Sequence, residues 1–402
     1  METTRALISS PIGVLAVLCL VAAFFFLLAQ VSKAKLFNYV PPLLFIYATP
    51  VLLNTFDVIP SDSPIYSGLS QYALPAFIVL MLIKVNVPAV VKIMGKGLLV
   101  MLMGTAGVMI GGIVAYAAVS PWLTDGTWRA VGALAGSWIG GTANMAAVGE
   151  MLGATGDHMG LAIIADNLVY IVWLPLLLIS RDYADQFNRW ARVPEDRITA
   201  MDAAADMHIE ENQAPTMPQY LYLVAIVIGI TWVGNTLSPG ISEWIVAHVP
   251  DKIQPAFGVT TIRVLLVTTI ALTLSTTPVS RLPNSTAIGT AIVYVFVAGM
   301  GARASLAGLG SDAPIFVAGA FIWITIHGLF CLAGAWIFRV DVHSVAIASA
   351  ANIGAAASAP IVAGHHRPSL VPVSILMALI GYALGNYLAP LVGYGAQLIS
   401  GQ

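Results

Sequence analysis

Two stretches of small residues, GSWIGGTANMAAVGE (Gly136 to Glu150) and IASAANIGAAASAP (Ile347 to Pro360), decide how this chain is interpreted. Each lies within an apolar run of membrane length, yet each is too rich in Gly, Ala, Ser, Thr and Asn for a helix that faces lipid. Aligning Asn144 with Asn352 places the stretches 208 residues apart, about half of the 402-residue chain. Interrupted apolar segments at matching points of two halves are typical of the binding site of a secondary transporter.

The composition indicates a protein that lives in a lipid bilayer. Of its residues, 58% are hydrophobic and 9% charged, and the mean hydropathy is +0.88. Soluble domains carry about 25% charged residues, so this chain could not cover itself with a water-compatible surface. The net charge of -2 argues against a nucleic-acid partner. Cys19 and Cys331 have neither CxxC nor metal-ligand spacing, so no redox or metal role is predicted.

Apolar runs separated by polar breaks predict six membrane spans in each half of the chain. The first run is longer than the apolar part of a signal peptide, so we expect a membrane helix there. The predicted spans are 8–31, 38–56, 72–92, 97–118, 128–152, 159–180, 220–238, 258–278, 285–303, 314–338, 343–364 and 369–396. This pattern predicts a first transmembrane repeat over residues 1–180, a polar linker over 181–219 and a second repeat over 220–402.

The relative orientation of the two repeats stays open at this point. Twelve spans put the matching segments six helices apart, and an even offset makes repeats parallel, whereas inverted repeats need an odd offset. Ile241 to Val249 (ISEWIVAHV) is a candidate for an uncounted short or re-entrant helix. The predicted fold is therefore an all-α polytopic membrane protein of about 12–13 transmembrane helices in two repeats, inverted if one span is miscounted and parallel otherwise.

Loop charge orients the first half better than the second. Loops with several lysines are expected in the cytoplasm, which puts the N-terminus outside. These lysines are Lys33, Lys35, Lys84, Lys92 and Lys96. The intervening loop carries Asp57 and Asp62 and no basic residue, in agreement. In the second half, Arg281, Arg303, Arg339 and Arg367 show little bias.

The first broken segment offers ligands for an ion and for a solute. A helix can break within hydrocarbon only where protein or water replaces the lost backbone bonds. Free carbonyls, the Thr142 hydroxyl and the Asn144 amide oxygen are hard ligands suited to sodium, and free N–H groups at Gly141 and Ala143 suit a carboxylate. The alternative is close helix packing through Gly132, Gly136 and Gly140, but packing does not require an Asn in both halves.

Asp166, in the helix after the first broken segment, is the best candidate for a coupling acid. Placing an Asp at the bilayer centre costs about 2.5–3.5 kcal/mol, so it should face a partner or a cavity. Asn167 adds an amide beside it. The alternative is an Asp near a helix end that is hydrogen-bonded to a neighbouring helix. Glu150 is as well explained by a solvated loop as by a ligand role, and Ser358 could add a hydroxyl from the second segment.

Four motifs together resemble a bacterial membrane family catalogued as domain-of-unknown-function family 819. They are GGTANMAAVGE (140–150), ADNLVY (165–170), AANIGAAASAPIVA (350–363) and GYALGNYL (381–388). The family looks like a branch of the superfamily of cation/proton antiporters and bile acid:sodium symporters. That resemblance implies inverted repeats, discontinuous helices that cross at mid-membrane, an elevator-type architecture, a homodimer and a multi-pass place in the bacterial inner membrane.

One departure from that superfamily bears on coupling. Its antiporters carry an Asn-Asp or Asp-Asp pair in the helix after the first crossing, whereas Asp166 and Asn167 stand here in the order Asp-Asn with one acid. The ion, sodium or proton, and its stoichiometry therefore stay open.

We predict a secondary-active transporter that couples sodium to symport of a small organic solute; the alternative is a cation/proton antiporter centred on Asp166. The expected ion ligands are Thr142, Asn144, Asp166, Asn167 and Asn352. The expected substrate-binding residues are Gly141, Ala143, Glu150, Ala351 and Ser358. HExxH, GxSxG and ATP-binding motifs are absent, so we expect no enzyme activity, no metal beyond sodium and no cofactor beyond the coupling ion.

Overall fold

The computed structural model describes residues 6–32, 42–85, 95–194, 215–304, 310 and 312–400, and within these ranges the regular structure is helical. Lys33, Lys35 and Lys92, and residues 195–214 of the predicted linker, lie outside the described residues.

Seven helices are described in the first half. They are α1 (Pro11–Val31), α2 (Pro42–Thr55), α3 (Pro64–Leu82), α4 (Lys96–Val119), α5 (Trp128–Met151), α6 (Gly156–Ile179) and the short α7 (Ala184–Trp190). A proline begins each of the first three helices, where its fixed φ fits and its missing N–H would have no partner within the helix. Within α3 the chain passes through one π-helical turn at Leu69–Ala73.

Seven more helices are described in the second half. They are α8 (Met217–His248), α9 (Val259–Ser275), α10 (Ser285–Ala302), α11 (Ala313–Phe338), α12 (Val342–Ile353), α13 (Ala355–His366) and α14 (Val371–Ser400). Across the described residues, 8 helices are long and apolar enough to cross a membrane, and α2 and α9 are shorter apolar helices. The expectation of a separate short helix at Ile241 to Val249 is wrong, because α8 runs through Pro239 to His248.

The first small-residue segment folds back on itself. Arg129 Nε donates to Leu152 O at 3.1 Å although the residues are 23 apart in sequence; in a straight helix they would be about 34 Å apart. A Cβ on Gly136 would likewise lie 2.8 Å from Asn144 O. The reversal occurs at Gly140 (φ -142°, ψ 16°) and Gly141 (φ 76°, ψ -176°). We call residues Trp128–Met151 hairpin 1.

The second small-residue segment reverses in the same way. His343 Nδ1 lies 3.0 Å from His366 Nδ1, at the open end of the pair α12 and α13. Nearer the turn, the Ser358 hydroxyl donates to Ala350 O at 2.8 Å. The turn is at Gly354 (φ -122°) and Ala355, which takes a φ of 48°. We call residues Val342–His366 hairpin 2.

The expectation that each half contains a discontinuous helix crossing the membrane is therefore wrong for both segments. Each is a re-entrant hairpin whose two ends lie on the same side of the molecule. The first arm of each hairpin has about twelve residues and a length of about 18 Å, enough to reach mid-depth of a hydrocarbon core of about 30 Å. Small residues permit the reversal because both arms must pack closely along their length.

Hydrogen bonds between distant parts of the chain define two faces of the helix bundle. At the N-terminal face, the start of α1 bonds to the end of α2 (Leu7 N to Asp57 O, 2.9 Å), and the end of α2 bonds to the end of α10 (Asn54 Nδ2 to Ala304 O, 3.3 Å). At the same face, the start of α9 bonds to the open end of hairpin 1 (Thr261 Oγ1 to Met151 O, 3.3 Å). At the linker face, the end of α9 bonds to the residue after α3 (Ser275 Oγ to Val85 O, 2.5 Å). The end of α6 bonds to the open end of hairpin 2 through Arg181 Nη1 to His365 O (2.7 Å) and through His366 Nε2 and Leu177 O (2.8 Å).

The helices pack as two groups. The hairpin group comprises α4, α5, α6, α11, α12, α13 and α14, with α5 packed along α14 and α4 along α11. The flanking group comprises α1, α2, α3, α8, α9 and α10, with α10 packed on α2 and α3. Contacts between the groups are sparser than contacts within them, and they concentrate where α9 and α10 meet α5, α6 and α14.

The hairpin geometry can be tested by cysteine labelling in a background that lacks Cys19 and Cys331. Asp125→Cys and Thr155→Cys flank hairpin 1 and are exposed, so we expect an impermeant maleimide to label both from the same side of sealed vesicles. Arg339→Cys and Ser369→Cys flank hairpin 2 and should both label from the other side. Labelling of Asp125→Cys and Thr155→Cys from opposite sides would restore a crossing helix.

Candidate functional site

The tips of the two hairpins meet near the middle of the bundle. A Cβ on Gly141 would lie 2.9 Å from the Cβ of Ala355, so the two turns are in van der Waals contact. Gly141 combines a positive φ with a ψ near 180°, a backbone conformation that is essentially confined to glycine. The second arm of hairpin 1 begins at Thr142 and that of hairpin 2 at Ala355, so two helix N-termini stand side by side.

Two cavities border these tips and share part of their lining. The smaller has a volume of about 120 Å³ and is lined by Leu43, Ser137, Gly141, Thr142, Asp166, Asn167, Tyr170, Tyr294, Ile353, Gly354 and Ala357. The larger has a volume of about 230 Å³ and is lined by Met81, Gly141, Thr142, Ala143, Thr286, Thr290, Val293, Tyr294, Gly354, Ala355, Ala356, Ala357 and Tyr382. Asp166 is the charged side chain among these residues.

Hairpin 1 holds the Asp166 carboxylate from two directions. Ser137 Oγ donates to its Oδ2 at 2.9 Å, and Trp138 Nε1 donates to its Oδ1 at 2.8 Å. Both donors precede the turn by a few residues, so the tip and the acid are positioned together. Among the described residues, no basic side chain lies within ion-pairing distance of Asp166. A carboxylate enclosed in a bundle and bordering a cavity favours a small cation or a proton.

Other groups around the smaller cavity are suitable oxygen ligands. Asn167 Nδ2 donates to Ile163 O at 2.7 Å, which leaves its amide oxygen for another partner. The Thr142 hydroxyl and the backbone carbonyls of the interrupted turn add further hard oxygens. Conversely, the free N–H groups at the two helix N-termini carry partial positive charge and favour an anionic or strongly polar group in the larger cavity. The tips thus bring ligands for a cation and for a polar solute within one compartment.

Asn144 and Asn352 point away from both cavities. Asn144 Nδ2 donates to Tyr382 O at 3.0 Å and to Asn386 Oδ1 at 3.1 Å, which ties hairpin 1 to α14. Asn352 is fully buried; with its amide turned so that both atoms are satisfied, the oxygen accepts from the Thr105 hydroxyl at 2.9 Å, which ties hairpin 2 to α4. In this conformation the two amides anchor the hairpins.

The hairpins also correct the alignment of the two halves. The turns at Gly140 and Gly354 are 214 residues apart, whereas the two Asn residues are 208 apart. Asn144 therefore lies in the second arm of its hairpin and Asn352 in the first arm of the other. Their match in sequence is not a match in structure, so it does not support a shared role.

The remaining predicted substrate residues are divided among three places. Gly141 and Ala143 line the larger cavity. Ala351 and Ser358 are buried within hairpin 2, where neither lines a cavity at the tips. Glu150 lies near the N-terminal face and pairs with Arg303 at 3.4 Å.

Several residues at the tips were not predicted from the sequence. Ser137 and Trp138 lie inside the first quoted stretch, and their nearness to the break was the available signal. Tyr294 and Thr290 of α10 and Tyr382 of α14 complete the cavity walls, and nothing in their local sequence marks them. They reach the cavity through helix packing.

Comparison with known proteins finds similarity over most of the chain. The family model described as "Protein of unknown function (DUF819)" matches residues 16–398. The chain is also 24% identical over 354 residues to the "Uncharacterized membrane protein YjcL" of Bacillus subtilis (strain 168), an alignment that covers 86% of this chain and 87% of that protein. The name of this relative describes a membrane protein, which agrees with the 8 described helices that are long and apolar enough to cross a membrane.

Proposed function

The chain belongs to the DUF819 family, and from that premise and the cavity at the hairpin tips we propose that it is a secondary-active transporter coupling sodium to the symport of a small organic solute. The observation that carries the proposal is the meeting of two re-entrant hairpins around Asp166, an acid that has no basic partner among the residues the structure describes. A bacterial inner-membrane location and a homodimeric assembly form part of the same proposal.

The number of crossing helices supports inverted repeats. With the two segments counted as hairpins, α1 to α4 and α6 cross in the first half, and α8 to α11 and α14 cross in the second. Five crossings per half is an odd number, so the second half enters from the opposite face. Hairpin 1 then opens at the N-terminal face and hairpin 2 at the linker face, in agreement with the hydrogen bonds from their open ends to other helices.

The distribution of basic side chains supports a cytoplasmic linker face. Eight described Lys and Arg residues lie at the linker face: Lys84, Lys96, Arg181, Arg189, Arg192, Arg281, Arg339 and Arg367. Four lie toward the N-terminal face: Arg129, Lys252, Arg263 and Arg303. In the second half this bias becomes visible only once the helices have directions: Arg281, Arg339 and Arg367 lie at the linker face, whereas Arg303 lies at the N-terminal face.

The division into two helix groups supports an elevator-like cycle. The hairpin group carries the tips and Asp166, while the flanking group contributes Leu43, Met81 and Thr286 to the cavity walls. These three residues lie near the linker-face ends of α2, α3 and α10. The cavities therefore extend from the middle of the bundle toward the linker-face ends of the flanking helices, and sliding of the hairpin group along the flanking group would carry the site toward the N-terminal face.

The roles follow from the chemistry of each cavity. The coupling ion is assigned to Asp166 with Thr142 and Asn167, and the solute to the larger cavity between Thr142, Tyr294 and the start of α13. A volume of about 230 Å³ suits a molecule of a few heavy atoms, since drug-sized ligands occupy about 300–1,000 Å³.

Titration of the detergent-purified protein with sodium tests the coupling. We expect a saturable rise in the unfolding temperature with sodium, relative to choline at equal ionic strength, because a ligand that binds only the folded state stabilises it by about 2.7 kcal/mol at 100 times its Kd. Potassium should give a weaker response. A response to pH alone, with none to sodium, would support the cation/proton antiporter instead.

A further inference from the structure

A second polar cavity lies at the N-terminal face, apart from the hairpin tips. Its volume is about 710 Å³, and its walls come mainly from the flanking group, at the start of α3, the start of α9 and the end of α10. The hairpin group contributes Glu150. Two arginines, Arg263 and Arg303, face this cleft together with a set of hydroxyls from Ser61, Ser63, Ser67 and Ser70.

Of the two guanidinium groups in the cleft, one has an ion pair among the described residues and the other has none. Glu150 Oε1 pairs with Arg303 Nη1 at 3.4 Å. Arg263 has no ion pair among the described residues: its Nη1 makes a long hydrogen bond of 3.5 Å to Ser70 O, and its Nε is buried without a partner. The lining holds two guanidinium groups and two carboxylates, those of Glu150 and the exposed Asp62, so the formal charges balance while Arg263 is left without an ion pair among the described residues.

We propose that this cleft binds the carboxylate group of the transported solute before it crosses the membrane, with Arg263 as the principal contact. The inference rests on the proposed transport function and narrows the solute to a monocarboxylate. A guanidinium offers parallel N–H donors that match a carboxylate, and Arg263 lines the cleft without an ion pair among the described residues. The hydroxyls of Ser61 and Ser63 supply further donors, since those of Ser67 and Ser70 already donate to Pro64 O and Tyr66 O.

The side chain of Glu150 acts in this scheme as an internal competitor. Its carboxylate already forms an ion pair with Arg303, so the cleft has room for a carboxylate beside a guanidinium group. Glu150 belongs to the hairpin group and Arg303 to the flanking group, so arrival of an external carboxylate would compete with a contact between the two groups. A solute bound here would thereby favour movement of the hairpins.

A lipid phosphate is the other oxyanion that could reach this face. The cleft favours a water-borne ligand, because its walls carry four serines, a glutamine and an aspartate and so lack the apolar lining that acyl chains would require. We commit to the soluble carboxylate and use lipid as an arm of the test.

The test measures the unfolding temperature of the purified protein at fixed sodium, titrated with monocarboxylates from acetate to benzoate, with chloride at equal ionic strength. At least one monocarboxylate should stabilise the wild type saturably. Its apparent affinity should fall about tenfold or more in Arg263→Gln and rise in Glu150→Gln, which frees Arg303. Arg281→Gln, a matched change at the linker face, should leave the affinity unaltered. If Arg263→Gln does not fold, Arg263→Lys keeps the charge without the fork and should show the same direction of loss.

Three outcomes would overturn the inference: no response to any monocarboxylate, a response that Arg263 variants do not weaken, or stabilisation by phosphatidylglycerol micelles alone. The sodium titration separates this result from the coupling proposal. A carboxylate response that depends on Arg263 but comes without a sodium response keeps the cleft and removes the symport. A sodium response without a carboxylate response does the reverse.

Discussion

Asp166→Asn should abolish the stabilisation of the protein by sodium while leaving the fold intact. The asparagine oxygen can still accept from Trp138 Nε1, and the Ser137 hydroxyl can rotate to accept from the new amide. What disappears is the negative charge that attracts the ion. We expect the apparent sodium affinity to fall at least about 100-fold, equivalent to about 2.7 kcal/mol.

The measurement is the sodium titration of the unfolding temperature, repeated for this variant and for Asp57→Asn. Asp57 is exposed at the N-terminal face with a φ of 55°, a conformation that asparagine tolerates, so it serves as the matched control. An unchanged sodium response in Asp166→Asn would remove Asp166 from the ion site. Loss of a pH response in place of a sodium response would point to proton exchange.

Gly141→Ala should weaken both the fold and the site. Its φ of 76° and ψ of -176° are strained for any residue with a Cβ, at a cost of about 1–3 kcal/mol. The added methyl group would also approach the Cβ of Ala355 to 2.9 Å and push the tips apart. Because Thr142 follows directly, we expect the sodium response to weaken along with the unfolding temperature.

Gly229→Ala in α8 is the control for this change. Gly229 has helical backbone and no atom within 4 Å of an added Cβ, so alanine should be neutral or slightly stabilising there. Comparing the two variants by unfolding temperature and by sodium titration separates the tip geometry from a general effect of replacing glycine. A Gly141→Ala protein as stable and as sodium-responsive as Gly229→Ala would show that the tip does not need this conformation.

The parts of the fold that depend on local composition were predictable from the sequence. Apolar runs marked the helices of a membrane protein, and the small residues at Gly140 and Gly354 marked the interruptions. Asp166 could be singled out because an acid inside an apolar helix is costly wherever it stands. These inferences required no knowledge of which helices touch.

The direction of the chain after each interruption was not predictable in this way. A helix that breaks and continues has the same composition as one that breaks and returns, and the difference here is two backbone conformations, at Gly141 and Ala355, supported by packing on α14 and α4. The sequence match between Asn144 and Asn352 predicted a shared role wrongly, because each amide bonds to a neighbouring helix from a different arm of its hairpin. Tyr294 and Arg263 reach their cavities from remote helices and carry no local signal.

The packing of hairpin 1 against α14 has a consequence for folding during synthesis. A Cβ on Gly132 would lie 3.1 Å from the Gly393 Cα, and one on Gly140 would lie 2.6 Å from Gly381 O, so the two backbones touch along the whole arm. Yet the ribosome delivers α14 roughly 220 residues after hairpin 1. At about 5–20 residues per second, hairpin 1 waits about 10–40 s for the helix against which it packs. During that interval the first arm of hairpin 1 lacks its packing partner, and a chain that stops before Val371 lacks it permanently.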